Sequence, residues 1–238
     1  SNRYDEKQGG FGKAPKFPKA HDYSFLIKYW KKTGTSHALS MAEHSLKSMR
    51  NGGMYDQVGF GFHRYSTDAR WLVPHFEKML YDQAILVQAY LDAYQATGDT
   101  YYSTVAKEIL DYVLRDMTAP AGGFYSAEDA DSQKEEGTFY LWKSEEVINL
   151  LGQDDGRFMN DVLNIKDKGN WHEGYKENTN MSFIRGEVKY LRYQLIAPSY
   201  ETEILKLTYV ILVLPIVCFA LKHGALPISK KISLDNHR

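Results

Sequence analysis

Hydrophobic positions along the chain recur at helical spacing from Asp22 onwards. In DYSFLIKYWKKTG, Phe25, Leu26, Tyr29 and Trp30 fall on one helical face, and Gly34 is suited to end the helix. A second helix follows at once. Ser36 is placed to cap HALSMAEHSLKSMRN, with Leu39, Ala42, Leu46 and Met49 facing one way and Gly52-Gly53 closing the unit. The same order returns downstream. Pro74 is placed to open a long helix, PHFEKMLYDQAILVQAYLDAYQAT, because its missing N–H costs nothing in a first turn, and Gly98 ends it. Asp99 is then expected to cap TYYSTVAKEILDYVLRDM, with Tyr102, Val105, Ala106, Ile109 and Val113 as its apolar stripe and Gly122-Gly123 after it.

Two helical hairpins therefore match in order: helix, TGTS or TGDT, helix, then GGMYDQ or GGFYSA. An earlier GGFG, Gly9 to Gly12, marks the tail of a preceding unit. A unit of about 65 to 70 residues built from two antiparallel helices cannot bury its apolar faces alone and needs neighbours. The Pro74 helix is apolar almost all round and reads as an inner helix, whereas Lys107, Glu108, Asp111 and Arg115 mark the Asp99 helix as an outer one. The pattern predicts an all-α fold: an α/α solenoid or, if closed, an α/α toroid of repeated hairpins, with short β segments after the Gly-Gly turns. After Gly123 come an acidic loop, a strand-like TFYLW and a helix capped by Ser144. We expect residues 1–170 to form an incomplete toroid domain and 171–238, which lack the Gly-Gly grammar, to be a divergent segment. Residues 207–221, LTYVILVLPIVCFAL, are the one strongly apolar run. They fall short of the roughly 20 residues of a comfortable membrane span, leaving a buried element or an anchor as alternatives.

Composition narrows the function. The 238 residues are 43% hydrophobic and 25% charged, a globular balance. A formal net charge of -1 with scattered Lys and Arg argues against nucleic acid as a partner. One cysteine, Cys218, excludes an intramolecular disulfide framework and a cysteine-built zinc site. The polar N-terminus has no secretory core and reads as a cut into a longer protein, so cytosol or an organelle matrix is the expected location. No cofactor or metal is expected. The acidic loop fails as a calcium loop, since Lys134 stands at the glycine position and Tyr140 at the closing glutamate. There is no phosphate-cradling glycine loop, HExxH or serine elbow.

Several long motifs carry a resemblance. GGFGKAPKFP, GGMYDQVGFGFHRYSTDARWLVPHFEKMLYDQA, YVLRDMTAPAGGFYSAEDADS and EEGTFYLW closely resemble the spermatogenesis-associated protein 20 family, from about Gly9 to Asn170. That resemblance implies a toroid of the six-hairpin glycosidase type, distantly similar to N-acylglucosamine 2-epimerases and joined to an N-terminal thioredoxin-like domain. The thioredoxin-like part and the later hairpins have no counterpart here, which suggests a truncated product.

The candidate chemistry clusters between Gln57 and Gln83. On a helix from Pro74, His75, Lys78, Met79 and Asp82 would share one face, with Glu77 on another. Each side chain alone has an ordinary structural role open to it. Together, beside an apolar helix, they are hard to explain by packing, and the resemblance implies that they face the toroid's cavity mouth, where a sugar or sugar derivative would bind. His63 or His75 would act as acid or base, with Glu77 and Asp82 orienting or supplying a second acid. Arg64 and Lys78 would hold anionic or hydroxyl groups. Glu128, Asp129 and Asp131 offer paired carboxylates of the kind that work on glycosidic bonds. Tyr55, Tyr65 and Trp71 could stack on sugar rings, as could Phe124, Tyr125 and Tyr140, although aromatics at such turns also wedge hairpins together. The other reading is a non-catalytic scaffold whose cavity serves a protein partner.

Overall fold

The computed structural model describes residues 3–132, 134–169, 171–173 and 176–179. The expectations placed on 180–238, including the apolar run 207–221, lie outside the described residues. Four long helices build the first two hairpins: α1 (Ala20–Thr33) with α2 (Ser36–Asn51), and α3 (Leu80–Thr97) with α4 (Thr100–Asp116). Helix α1 packs on α3, so the hairpins stand side by side with α3 flanked by α1 and α4. A third, shorter pair follows, α5 (Ser144–Leu151) and α6 (Gln153–Val162).

The glycines expected to end helices do so. Gly34 (φ 74°) and Gly98 (φ 71°) both enter the left-handed region, where their N–H groups donate back to Trp30 O and Tyr94 O. Asp99 caps α4 by accepting from Tyr101 N. Ser36 and Ser144 do not cap. They are the first helical residues after Thr35 and Lys143, which make no side-chain cap bond. Ser144 instead accepts from the buried Asn160 amide and so ties α5 to α6.

The expected stripe of α4 is buried in full, with Tyr102, Val105, Ala106, Ile109 and Val113 all in the main core. That core also takes Ala20, Tyr23 and Ile27 from α1, Leu46 and Met49 from α2, and Leu86, Ala89 and Tyr90 from α3. Deleting such a side chain down to alanine costs about 2 to 5 kcal/mol in a closely packed core. A smaller cluster, Val147, Leu163 and Ile165, serves the α5–α6 pair.

The glycine-rich segments between helices fold as one repeated frame. Isolated bridges join Tyr4 to Phe11, Tyr55 to Phe62 and Thr118 to Phe124, and after each the next N–H returns to the residue before the bridge: Gly12 to Arg3, His63 to Met54, Tyr125 to Met117. In the first two copies the residue after the tyrosine is an aspartate that repeats its bonds. Asp5 Oδ1 accepts from Lys7 and Gln8 N, and Asp56 Oδ1 accepts from Val58 and Gly59 N. Each Oδ2 then holds a buried ammonium at 2.8 Å, Lys16 on Asp5 and Lys78 on Asp56. Lys16 also donates to Ala69 O and lies over the Trp71 ring. Lys78 donates to Phe60 O and lies over Tyr112 and Tyr140. We call this arrangement a clip. The third copy has Ala119 in the aspartate's place and no clip.

Two expectations fail between Pro74 and Tyr140. Pro74 opens no helix: Pro74–His75 (β2) pairs antiparallel with Tyr65–Ser66 (β1), and Lys78–Met79 (β3) pairs with Ala127–Glu128 (β4). Burial alternates through Pro74, Phe76, Lys78 and Leu80, inward, with His75, Glu77 and Met79 between them. That period of two belongs to a strand. Thr138–Tyr140 of TFYLW form a 3-10 turn, following a tight hairpin of Asp131–Ser132 (β5) and Glu135–Glu136 (β6). Beyond the third pair, Trp171–Glu173 (β7) and Lys176–Thr179 (β8) form an antiparallel ladder.

Removing Asp56 leaves the Lys78 ammonium buried without its carboxylate, which costs about 3 to 5 kcal/mol. Asp56→Ala is therefore expected to lower the denaturation midpoint sharply, whereas Lys78→Met combined with Asp56→Asn should recover much of the loss. Urea unfolding of the three proteins checks this.

Candidate functional site

The extended segment 74–79 sorts the candidate residues onto two faces. On the buried face lie His63, Phe76 and Lys78. The His63 Nδ1 donates to Phe76 O at 3.1 Å, and the ring stands edge-on to Tyr140 at 4.8 Å. Burial, reinforced by the Lys78 charge, pushes the imidazole down from 6.5 to about 3, so it is neutral in the fold. Asp56 feels burial first, which would raise its carboxyl, but the Lys78 ammonium and the Gly59 N–H hold it below the ordinary value. Glu128 is buried opposite Lys78 in the β3–β4 ladder and accepts hydrogen bonds from Tyr112 and Tyr140.

The other face is open to solvent. Tyr65 and His75 are cross-strand partners, and their rings stack at 4.9 Å. His75 Nδ1 lies 2.7 Å from Glu136 Oε1, while its Nε2 is 4.0 Å from Glu77 Oε2. The chain then runs back, Arg64 N to Glu77 O at 2.7 Å, and the Arg64 guanidinium reaches Asp82 with Nη1 at 3.3 and 3.1 Å from its two oxygens. Phe17 and Tyr81 rings lie 5.1 and 5.2 Å from that guanidinium. Asp82 sits in the first turn of α3 with its side chain only 6% exposed. Burial drives its carboxyl up to about 7, against the pull of Arg64 and with help from Glu77. An acid poised near neutrality thus lies beneath a half-exposed arginine.

The structure brings together Arg64, Tyr65, His75, Glu77 and Asp82. It sends His63, Lys78 and Glu128 to the far side of the strand. Asp129 and Asp131 do not join either group as a carboxylate pair: Asp129 Oδ1 accepts from Asp131 N, and Asp131 is exposed. Tyr55 and Trp71 are core residues rather than stacking platforms. Tyr55 is 1% exposed and its hydroxyl donates to Glu108. Trp71 is fully buried between the clip of Lys16 and Gly52, donates to Gln8 O, and is held at φ 62°. A left-handed backbone costs a side-chain-bearing residue roughly 1 to 2 kcal/mol, which this packing offsets.

Three members of the open face escaped the sequence reading: Glu136, Phe17 and Tyr81. Glu136 arrives from a hairpin distant in the chain, and no local spacing signals it. Tyr81 and Phe17 carry only the signal of an aromatic beside a candidate charge. Among the described residues no cluster has the makings of a metal site, and no helix is long and apolar enough to cross a membrane.

Comparison with known proteins follows the motifs. Human spermatogenesis-associated protein 20 is 56% identical over 158 residues, covering 62% of this chain and 20% of the human protein. An uncharacterized Caenorhabditis elegans protein is 43% identical over 162 residues, covering 63% of this chain and 22% of that one. The chain thus spans about a fifth of the length of the curated relatives it matches. A cellobiose 2-epimerase from Spirochaeta thermophila superposes with a TM-score of 0.50 at 22% identity, over 54% of this chain and 35% of the epimerase. No family model matches the chain. The resemblance to spermatogenesis-associated protein 20 is borne out, and the described residues have the fold of part of an α/α toroid of the six-hairpin glycosidase-like type.

Because His63 is neutral in the fold and protonates near 6.5 once unfolded, its contribution is fully present above about pH 6.5. It is lost as pH falls from there towards 3. Unfolding free energy measured against pH should decline across that window, and His63→Gln should flatten the decline.

Proposed function

We propose that the open face around His75 is a sugar-binding surface that performs proton transfer on its ligand. The observation that carries this reading is the coupling of two pairs on one face: His75 oriented by Glu136 at 2.7 Å, and Arg64 bonded to the buried Asp82. A carboxylate at Nδ1 favours the tautomer with its proton there and leaves Nε2 as a lone-pair base. Asp82, pushed up to about 7, can hold or release a proton at neutral pH. Arg64 fixes the ligand oxygen next to it, and Tyr65 and Tyr81 offer ring surface of the kind on which sugars pack. The shared fold of a cellobiose 2-epimerase supports a sugar as the ligand. Carbon-bound proton exchange next to a carbonyl is the reaction class this equipment suits, with His75 as base and Asp82 as the group that returns or accepts a proton. Glu77 lies 4.0 Å from Nε2, whereas His63 and Lys78 maintain the platform from behind.

The test is solvent deuterium incorporation into an aldose. Cellobiose incubated in heavy water with the full chain is expected to gain deuterium at C2, and His75→Ala should slow this at least a hundredfold, the usual weight of a general base. Glu136→Gln should give an intermediate rate. Equal rates in wild type and His75→Ala, or no exchange beyond buffer with either, would overturn the catalytic assignment and favour the scaffold reading.

A further inference from the structure

We infer that the Arg64 face takes an uncharged polyhydroxyl ligand and discriminates against phosphorylated and uronic sugars. This rests on the sugar-binding reading and specifies its substrate class. The first argument is charge. Arg64 lies on this face, and both oxygens of Asp82 already engage its Nη1. On either side of His75 stand the carboxylates of Glu136 and Glu77, 41% and 26% exposed. Lys78, the nearest lysine along the strand, points away to Asp56 and is 2% exposed, so its charge is spent on the clip. A phosphate entering here would meet a compensated arginine and two carboxylates.

The second argument is hydrogen-bond direction. Arginine only donates and an ionised carboxylate only accepts. A ligand that meets both Arg64 and the Glu77 and Glu136 carboxylates must accept from the first and donate to the others. Neighbouring sugar hydroxyls do both; a phosphate or carboxylate offers acceptors alone. A Tyr65 ring stacked on His75 and a Tyr81 ring 5.2 Å from the Arg64 guanidinium add apolar surface to this face. An anion that is strongly hydrated gains nothing from it. Charge, donor pattern and ring surface therefore agree.

Calorimetric titration of the full chain at about pH 8 and low salt, with cellobiose, D-mannose, D-mannose 6-phosphate and D-glucuronate as probes, decides the matter. At least one neutral sugar is expected to bind tenfold or more tighter than either anion, about 1.4 kcal/mol. Glu77→Gln with Glu136→Gln should shrink that gap, and so should added salt, which screens exposed charges. Thermal melting confirms that the double variant is folded, since both side chains are exposed in part. Anions binding as well as or better than neutral sugars would overturn the inference while leaving the sugar-binding reading intact. A gap untouched by the double variant would overturn the charge argument on which it stands. Binding by none of the four would remove the sugar-binding reading and this inference together.

Discussion

The ion pair between Asp56 and Lys78, closed at 2.8 Å in the interior, is the constraint on which the rest of the site depends. Two charges taken out of water are tolerable only if each finds its full set of partners. The protein satisfies that demand with a loop: Asp56 turns its own backbone by accepting from Val58 and Gly59, and Lys78 reaches both the carboxylate and Phe60 O. The requirement fixes where segment 74–79 runs, because Lys78 must face inward. Alternation then leaves no freedom for its neighbours. His75 and Glu77 must face outward, and Tyr65 must stack beside His75. The same device holds Lys16 against Asp5 one unit earlier, where it secures the loop carrying Trp71. Its repetition identifies it as architecture.

That division explains why two histidines close in sequence have opposite characters. His63 is sealed against Phe76 and Tyr140 and cannot take up a proton in the folded state at ordinary pH. His75 keeps one nitrogen on Glu136 and the other towards Glu77 and solvent. The frame around Gly59 and Gly61 makes the separation possible. Gly61, at φ 79°, lies so close to Tyr112 that an added Cβ would come within 2.6 Å of the ring. Tyr112 in turn bonds Glu128, the cross-strand partner of Lys78. The buried face is thus packed from several elements, whereas the open face rests on them.

Much of the fold was legible in the chain. Helical periodicity and glycine stops located α1, α2, α4 and the end of α3; the stripe of α4 proved to be its buried side, whereas on α1 the expected Phe25 and Tyr29 are exposed and Tyr23 and Ile27 are buried instead. The segment from Pro74 is ambiguous in sequence because Pro, His, Phe, Glu, Lys and Met fit a helical wheel as well as a strand over so few residues. What decides between them is the pairing with Tyr65 and Glu128, partners set by the tertiary fold. The clips were equally hidden. Nothing about Asp5 or Asp56 alone says that a lysine well downstream will be buried on it, although the Tyr-Asp repeated before the first two glycine turns is a clue. Within the site, residues named for their chemistry came out in two groups, since spacing reports proximity along the chain and not the side of a strand.

The division of labour across that strand is the central claim, and ring nitrogen spectroscopy tests it directly. In the full chain labelled at histidine, titration with cellobiose is predicted to shift the His75 resonances while those of His63 stay in place. A sugar-induced shift at His63 with His75 unmoved would contradict the account.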